Sequence, residues 1–182
     1  MKIVFLTPPA KNWLFPPSGI AYLTSFLNKN GHEAIIVEGN NKTLNDLIQA
    51  VGRIKPDIAG ISMDTSSRFL CLELAKKIKT IFNIPIILWG PHPTLMPDQL
   101  LKNYPFIDYL VRNEGEYSCL NLLNALENGK NLDKIKGISY KKDKQIIHNE
   151  RTDPIIDLDN LPFPEYKFFD LKGYSKNPEN PP

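Results

Sequence analysis

The run Trp89-Gly90-Pro91-His92-Pro93-Thr94 brings an indole, an imidazole and a hydroxyl into a turn stiffened by two prolines. It follows the apolar stretch Ile84-Pro85-Ile86-Ile87-Leu88 and precedes a helical segment. Three more turns stand in the same position, each just past an apolar run. They are Thr7-Pro8-Pro9 with Phe15-Pro16-Pro17-Ser18-Gly19, then Ser62-Met63-Asp64-Thr65-Ser66, then Arg112-Asn113-Glu114-Gly115-Glu116. In an open parallel sheet such turns gather at one edge, outside the carboxyl ends of the strands, where ligands bind. Their Pro, Gly, Ser, Thr and Trp residues describe a rigid rim with small polar donors and acceptors. Such a rim suits a large neutral ligand rich in amide groups.

Several other chemistries are excluded. No turn carries the Gly-x-Gly-x-x-Gly that brings backbone against a pyrophosphate, and no Walker motif is present. Phosphotransfer of the response-regulator kind needs acids after the first strand and a lysine after the fifth. Asp64 is well placed as an acceptor, but the first turn has no acid and Arg112 is the basic residue after strand five. Ser18, Ser62 and Ser66 have no His–Asp partners for nucleophilic catalysis. Cys71 and Cys119 fall in helical patterns without a Cys-x-x-Cys partner, which reads as buried structural thiols rather than a metal or redox pair.

The elements that position the turns alternate. Ile3–Thr7 reads as a strand. Ser18 and Gly19 open a helix with Ile20, Leu23 and Leu27 inward, and Gly31 ends it. Glu33–Glu38 is a second strand. Thr43 with Asp46 resembles a capping box for a helix to about Ile54. Asp57–Met63 is a third strand, followed by a helix from about Ser66 to Phe82 with Leu70, Leu74, Ala75, Ile78 and Phe82 on one face. Ile84–Trp89 is a fourth strand and Pro97–Asn103 a short helix. Ile107–Val111, shorter and more polar, reads as an edge strand. Glu116–Asn128 is a helix with Cys119, Leu122, Leu123 and Leu126 inward.

Continuous apolar strands separated by helices predict an α/β fold with both faces of the sheet covered. Right-handed crossovers narrow the topology to a flavodoxin-like (Rossmann-like), doubly wound, five-stranded parallel sheet of order 2-1-3-4-5. Residues 1–135 form this domain. Residues 136–150 form a small β-hairpin extension, with Gly137–Lys141 and Gln145–His148 flanking Lys142-Asp143-Lys144. Residues 151–182, rich in proline, read as an extended connector.

A chain of 182 residues suits one domain plus a tail. The formal charge of +2 implies no face for nucleic acid. The apolar runs are too short to span a membrane. The apolar start, halted at Thr7-Pro8-Pro9, is too short for a signal peptide, so a cytoplasmic protein is expected.

The segments Pro16-Pro17-Ser18-Gly19-Ile20-Ala21-Tyr22-Leu23, Pro56-Asp57-Ile58-Ala59-Gly60-Ile61-Ser62, Gly90-Pro91-His92-Pro93-Thr94, Asn113-Glu114-Gly115-Glu116 and Leu161-Pro162-Phe163-Pro164 occur in this order. Together they resemble the N-terminal cobalamin-binding domain of B12-dependent radical SAM enzymes, a family that includes methyltransferases and the anaerobic cyclase of chlorophyll synthesis. The resemblance covers nearly the whole chain. It implies a corrin held over the strand ends, with the nucleotide tail between sheet and helices. The implied cofactor contacts are Pro9, Pro17, Ser18 and Gly19; Ser62, Asp64, Thr65 and Ser66; Gly90, Pro91, His92 and Pro93; and Glu114, Gly115 and Glu116. Small residues at Gly60, Ser62 and Gly90 would let the tail pass, so Gly90→Leu is expected to block binding and spare the fold. His92 either contacts the ligand or bonds a neighbouring backbone group. Asp64 either accepts from corrin amides or caps the third helix.

The chain also departs from other B12 carriers. Their Asp-x-His-x-x-Gly after the first strand supplies a histidine to cobalt. With the last glycine aligned on Gly19, Leu14 and Pro16 occupy the Asp and His positions, and neither can ligate a metal. His32 and His148 lie elsewhere. The resemblance therefore implies base-off cobalamin without a histidine ligand. Ser-x-Leu becomes Ser62-Met63-Asp64, and Gly-Gly becomes Trp89-Gly90. Trp89 is bulky where the tail would pass, unless its indole turns into the core. The Cys-x-x-x-Cys-x-x-Cys of the catalytic domain, which holds a 4Fe–4S cluster and uses S-adenosylmethionine, is not in this chain. The chain is thus expected to bind rather than catalyse, as a domain that leads to a radical SAM partner domain. The alternative is a flavodoxin-like small-molecule or nucleotide-binding enzyme domain unrelated to cobalamin.

Overall fold

The computed structural model describes residues 1–11 and 15–175. Apolar, β-branched runs form the central strands: β1 (Lys2–Leu6), β2 (Glu33–Val37), β3 (Ile58–Ser62), β4 (Ile86–Trp89) and β5 (Tyr109–Val111). All are parallel, in the expected order 2-1-3-4-5.

The expected five-stranded sheet is corrected to seven strands. The hairpin strands β6 (Ile138–Lys142) and β7 (Gln145–His148) continue the same sheet, antiparallel, beyond β5. β5 is therefore an interior strand, and the edges are β2 and β7. The agent of this docking is Arg112. Its N–H donates to the Gly137 carbonyl at 2.7 Å, and its buried guanidinium donates to the Ile138 carbonyl at 3.2 Å and to the Asn149 carbonyl. Backbone pairing of this kind leaves little trace in side-chain periodicity, which is why a short polar strand looked like an edge.

Helices cover both faces. On one lie α1 (Ser18–Lys29) and α6 (Glu116–Glu127), packed through Ile20, Leu23, Leu27, Cys119, Leu122 and Leu123 against Ile3, Phe5, Ile58 and Ile87. On the other lie α2 (Leu44–Ile54), α3 (Arg68–Phe82) and α5 (Pro97–Asn103), packed against Val4, Leu6, Ala59, Ile61 and Leu88. The capping box of α2 forms as expected: the Thr43 hydroxyl accepts from the Asp46 N–H, and the Asp46 carboxylate accepts from the Thr43 N–H at 2.8 Å.

Two helix details differ from expectation. The α3 helix starts at Arg68, and Leu70 is 41% exposed while Cys71 and Leu72 turn inward. The Gly90 turn itself forms a short helix, α4 (Pro91–Leu95). The C-terminal connector is also less extended than its prolines suggest. It holds 3-10 turns at Leu158–Asn160 and Tyr166–Phe168 and a helix α7 (Leu171–Ser175). Phe169 and Tyr174 are buried in the core on the α1 face. No helix among the described residues is long and apolar enough to cross a membrane.

Candidate functional site

The strand-end turns are tied to one another by hydrogen bonds. Met63 N–H donates to the Trp89 carbonyl at 2.9 Å, and His92 N–H donates to the Met63 carbonyl at 3.2 Å. Asn113 N–H donates to the Thr94 hydroxyl, which itself donates to the Gly90 carbonyl, both at 2.9 Å. Ile155 N–H donates to the Glu114 carboxylate at 2.6 Å, fastening the connector to the same edge. The turns after β3, β4 and β5 thus form one rim, as the parallel order requires.

Within this rim the expected contact residues separate by what they already touch. Ser18, Gly19, Asp64, Thr65, Ser66 and Pro91 are exposed, while Pro9, Pro17, Ser62 and Gly90 are partly buried. His92, Pro93 and Gly115 are buried. Glu114 is engaged by the connector.

The ring of His92 has a side-chain partner rather than the neighbouring backbone group that one reading expected. Its Nδ1 is 3.1 Å from the Thr65 hydroxyl, and its ring lines a small pocket of about 90 Å³ with Arg68, Leu72 and Leu100, between α3 and α5. Burial, then the nearby Arg68 charge, hold its pKa below the usual histidine value. His92 therefore fastens two turns together with a neutral ring.

Asp64 closes the turn that leads into α3, whose N-cap residue is Ser67: its Oδ1 accepts from the Ser66 hydroxyl and the Ser67 N–H, each at 2.7 Å. Burial pulls its pKa upward, but these hydrogen bonds outweigh it and hold the carboxyl below its ordinary value. Glu116, in the first turn of α6, is pushed the other way by burial, and the neighbouring Glu114 charge adds to the rise.

The expectation for Gly90 is corrected. A Cβ there would stand 2.8 Å from the Met63 carbonyl oxygen, at a backbone φ of +110°. Glycine is needed because two backbone turns meet, so Gly90→Leu would strain the fold itself. Gly60 is similar: its missing side chain makes room for the Phe5 ring, 2.6 Å from a would-be Cβ. Leu14, which stands at the Asp position, lies outside the described residues.

A fifth turn belongs to the edge. Glu38-Gly39-Asn40-Asn41 follows β2, and Gly39 N–H donates to the Thr7 hydroxyl at 2.7 Å. Glu38 is 7% exposed, and one of its carboxylate oxygens, Oε1, has no hydrogen-bond partner among the described residues. Burial raises its pKa. An acid ending an apolar strand at the same edge is the signal the sequence carries for this turn, which lacks the proline and serine of the others.

Trp89 reaches into the face between α1 and the sheet. A Cβ on Gly19 would lie 3.8 Å from its ring, and its ring meets Phe5 edge-on at 6.3 Å. Its Nε1 is buried and has no hydrogen-bond partner among the described residues. Large apolar side chains stand exposed at Phe15 before α1, Phe69 in the first turn of α3, Leu95 at the end of α4 and Phe163 in the connector. Among the described residues no group of three or more His, Cys, Asp or Glu could hold a metal ion.

Comparison with known proteins places this edge in context. A B12 binding domain family matches residues 14–123, more than half of the chain. The chain is 33% identical to an uncharacterized methyltransferase of Pyrococcus horikoshii over 96% of this chain and 40% of that protein. It is 30% identical to the anaerobic magnesium-protoporphyrin IX monomethyl ester cyclase of Rubrivivax gelatinosus over 99% of this chain and 35% of that protein. The chain thus spans well under half the length of these curated relatives. Among solved structures, the cobalamin-dependent S-adenosylmethionine radical enzyme OxsB, with aqua-cobalamin and S-adenosylmethionine bound, matches with a TM-score of 0.81. That match has 22% identity and covers 96% of this chain and 25% of OxsB. The radical S-adenosylmethionine methyltransferase TsrM of Kitasatospora setae matches with a TM-score of 0.73 and 17% identity, over 82% of this chain and 30% of TsrM. At such identities the likeness speaks for the fold.

Proposed function

The chain belongs to the B12 binding domain family, and we propose that it holds cobalamin base-off over its strand-end edge, with no histidine on cobalt, as one domain of a radical SAM enzyme. The residues fit such a ligand. The exposed Ser18 and Thr65 hydroxyls offer partners to corrin amides, Gly19 and Pro91 keep the rim low, and Ser62 lies on the α1 face opposite Trp89. The buried, unpaired indole N–H of Trp89 is a donor waiting at the mouth of that face.

The observation that carries the proposal is where the imidazoles are. The chain has three histidines. His92 is engaged with Thr65 and turned between α3 and α5. His32 is bonded to Asn124 at 3.1 Å and lies against the N-terminal amine, at the amino ends of the strands. His148 lies on β7 between Ser139 and Asp98. None stands free over the strand ends.

Bound cobalamin supplies a cobalt that can carry a methyl group or exchange electrons. The chain's own residues bind and orient it, and the neutral buried His92 keeps a positive charge off the edge. The methyltransferase and cyclase names of the relatives support a parent of either kind. The 4Fe–4S cluster and S-adenosylmethionine would then belong to a radical SAM domain joined through the connector that starts near Arg151. The exposed Phe15, Phe69, Leu95 and Phe163 offer that domain an apolar surface.

Titration with hydroxocobalamin tests the reading, followed by reduction and electron paramagnetic resonance of the cob(II)alamin complex. Binding without nitrogen superhyperfine splitting is the expected result. Any nitrogen superhyperfine splitting would overturn it, and its loss in His92→Ala would name that ring as the source.

A further inference from the structure

Trp89 ends β4, and its sheet partners are Ser62 on β3 and Val111 on β5. It therefore shares a sheet face with Phe5, Gly60 and Ser62. Its ring packs beneath the first turn of α1, within ordinary contact distance, 3.8 Å, of where a Cβ on Gly19 would stand. The ring is fixed edge-on against Phe5, and the main chain of Trp89 is pinned by the Met63 N–H. Packing alone would be served equally well by phenylalanine. The indole instead carries an N–H into this face, buried and without an acceptor among the described residues. A buried donor left unpaired is costly, and such groups in native proteins usually have a partner.

We infer that Trp89 reads the nucleotide tail of the corrinoid, its indole N–H donating to an acceptor that the tail brings between α1 and the sheet. The inference rests on the cobalamin-binding reading and deepens it. The tail is the part of cobalamin that carries a ribose, a phosphodiester and a benzimidazole, all with acceptor atoms. Cobinamide has the same corrin and lacks the nucleotide. A residue that reads the tail therefore discriminates between the two, whereas a residue that only shapes the rim does not.

The test compares cobalamin and cobinamide binding to the wild-type chain and to Trp89→Phe. Trp89→Phe keeps most of the ring and removes the N–H. Its expected effect is about a tenfold or greater loss of cobalamin affinity with cobinamide affinity unchanged. Equal losses for both ligands, or no loss for either, would overturn the inference while leaving the cobalamin reading intact. Wild-type protein that binds neither corrinoid would overturn both.

A second measurement keeps Trp89 in place and does not depend on that variant folding. In Trp13→Phe, Trp89 is the single tryptophan, and its indole N–H gives one nitrogen–proton resonance. Cobalamin in its diamagnetic cob(III) form should move this proton downfield, as a new hydrogen bond does, and cobinamide should not. A resonance unmoved by cobalamin, or moved alike by both ligands, counts against the inference.

Discussion

Gly90 and Met63 meet backbone to backbone: a Cβ on Gly90 would lie 2.8 Å from the Met63 carbonyl oxygen. That oxygen also accepts from the His92 N–H. The contact ties the turn after β4 to the end of β3. The glycine at the centre of the most conspicuous motif is thus there for the fold first. Gly90→Ala should lower stability by about 2 kcal/mol or more, from a positive φ and a collision with a fixed carbonyl. Urea unfolding measures this directly. A variant as stable as the wild type would show that the two turns can part without cost.

Arg112 holds the hairpin to the parallel strands. Arg112→Met keeps much of the apolar stem and removes the guanidinium that serves the Ile138 and Asn149 carbonyls. The expected cost is about 2–4 kcal/mol, since buried acceptors lose charged donors. Hydrogen exchange should show β6 and β7 losing protection before β1 and β3. Uniform loss across the sheet would mean that the hairpin is not a separately held unit.

Glu38 makes stability depend on pH. Burial raises its pKa first of all; the Lys42 charge and a hydrogen bond from the Asp170 backbone oppose the rise, and the Asp170 charge adds to it. The folded state therefore binds the proton more tightly than the unfolded chain, whose value lies near 4.5. The stabilising contribution is fully present below that pH and is lost as pH rises through the folded-state value. Glu38→Gln should match the wild type near pH 4 and exceed it increasingly toward pH 8. Glu116 is raised in the same direction by burial, so Glu116→Gln in the same background should add a further gain toward pH 8. A gap between Glu38→Gln and wild type that is the same at both pH values would contradict this account.

Cys71 and Cys119 should be inert. Both are buried, and burial pushes each thiol up to about 12. At pH 8 neither presents thiolate or surface to a reagent. A disulfide-exchange reagent should find no reactive thiol in the native protein and two in the unfolded one. Rapid labelling of the folded chain would show that the α1 or α3 face opens readily.

The parallel order, the capping box at Thr43 and Asp46, and the gathering of Ser62, Gly90 and Gly115 at one edge were all legible in the residues. They follow from local rules: apolar runs of strand length separated by helical periods, and turn residues at fixed places. The family was legible too, because its motifs lie in order along the chain. Three things waited for the tertiary structure. The hairpin continues the sheet because backbone groups of β5 and the Arg112 guanidinium meet Gly137, Ile138 and Asn149, residues at least 25 positions away. The turn of Glu38 joins the strand-end edge because β2 lies beside β1, which brings it against Thr7. Gly90 and His92 take their roles from neighbours, Met63 and Thr65, that only folding brings near. A sequence sets residue types and local spacing, whereas the partner of a carbonyl or of a ring nitrogen is decided by which distant backbone arrives beside it.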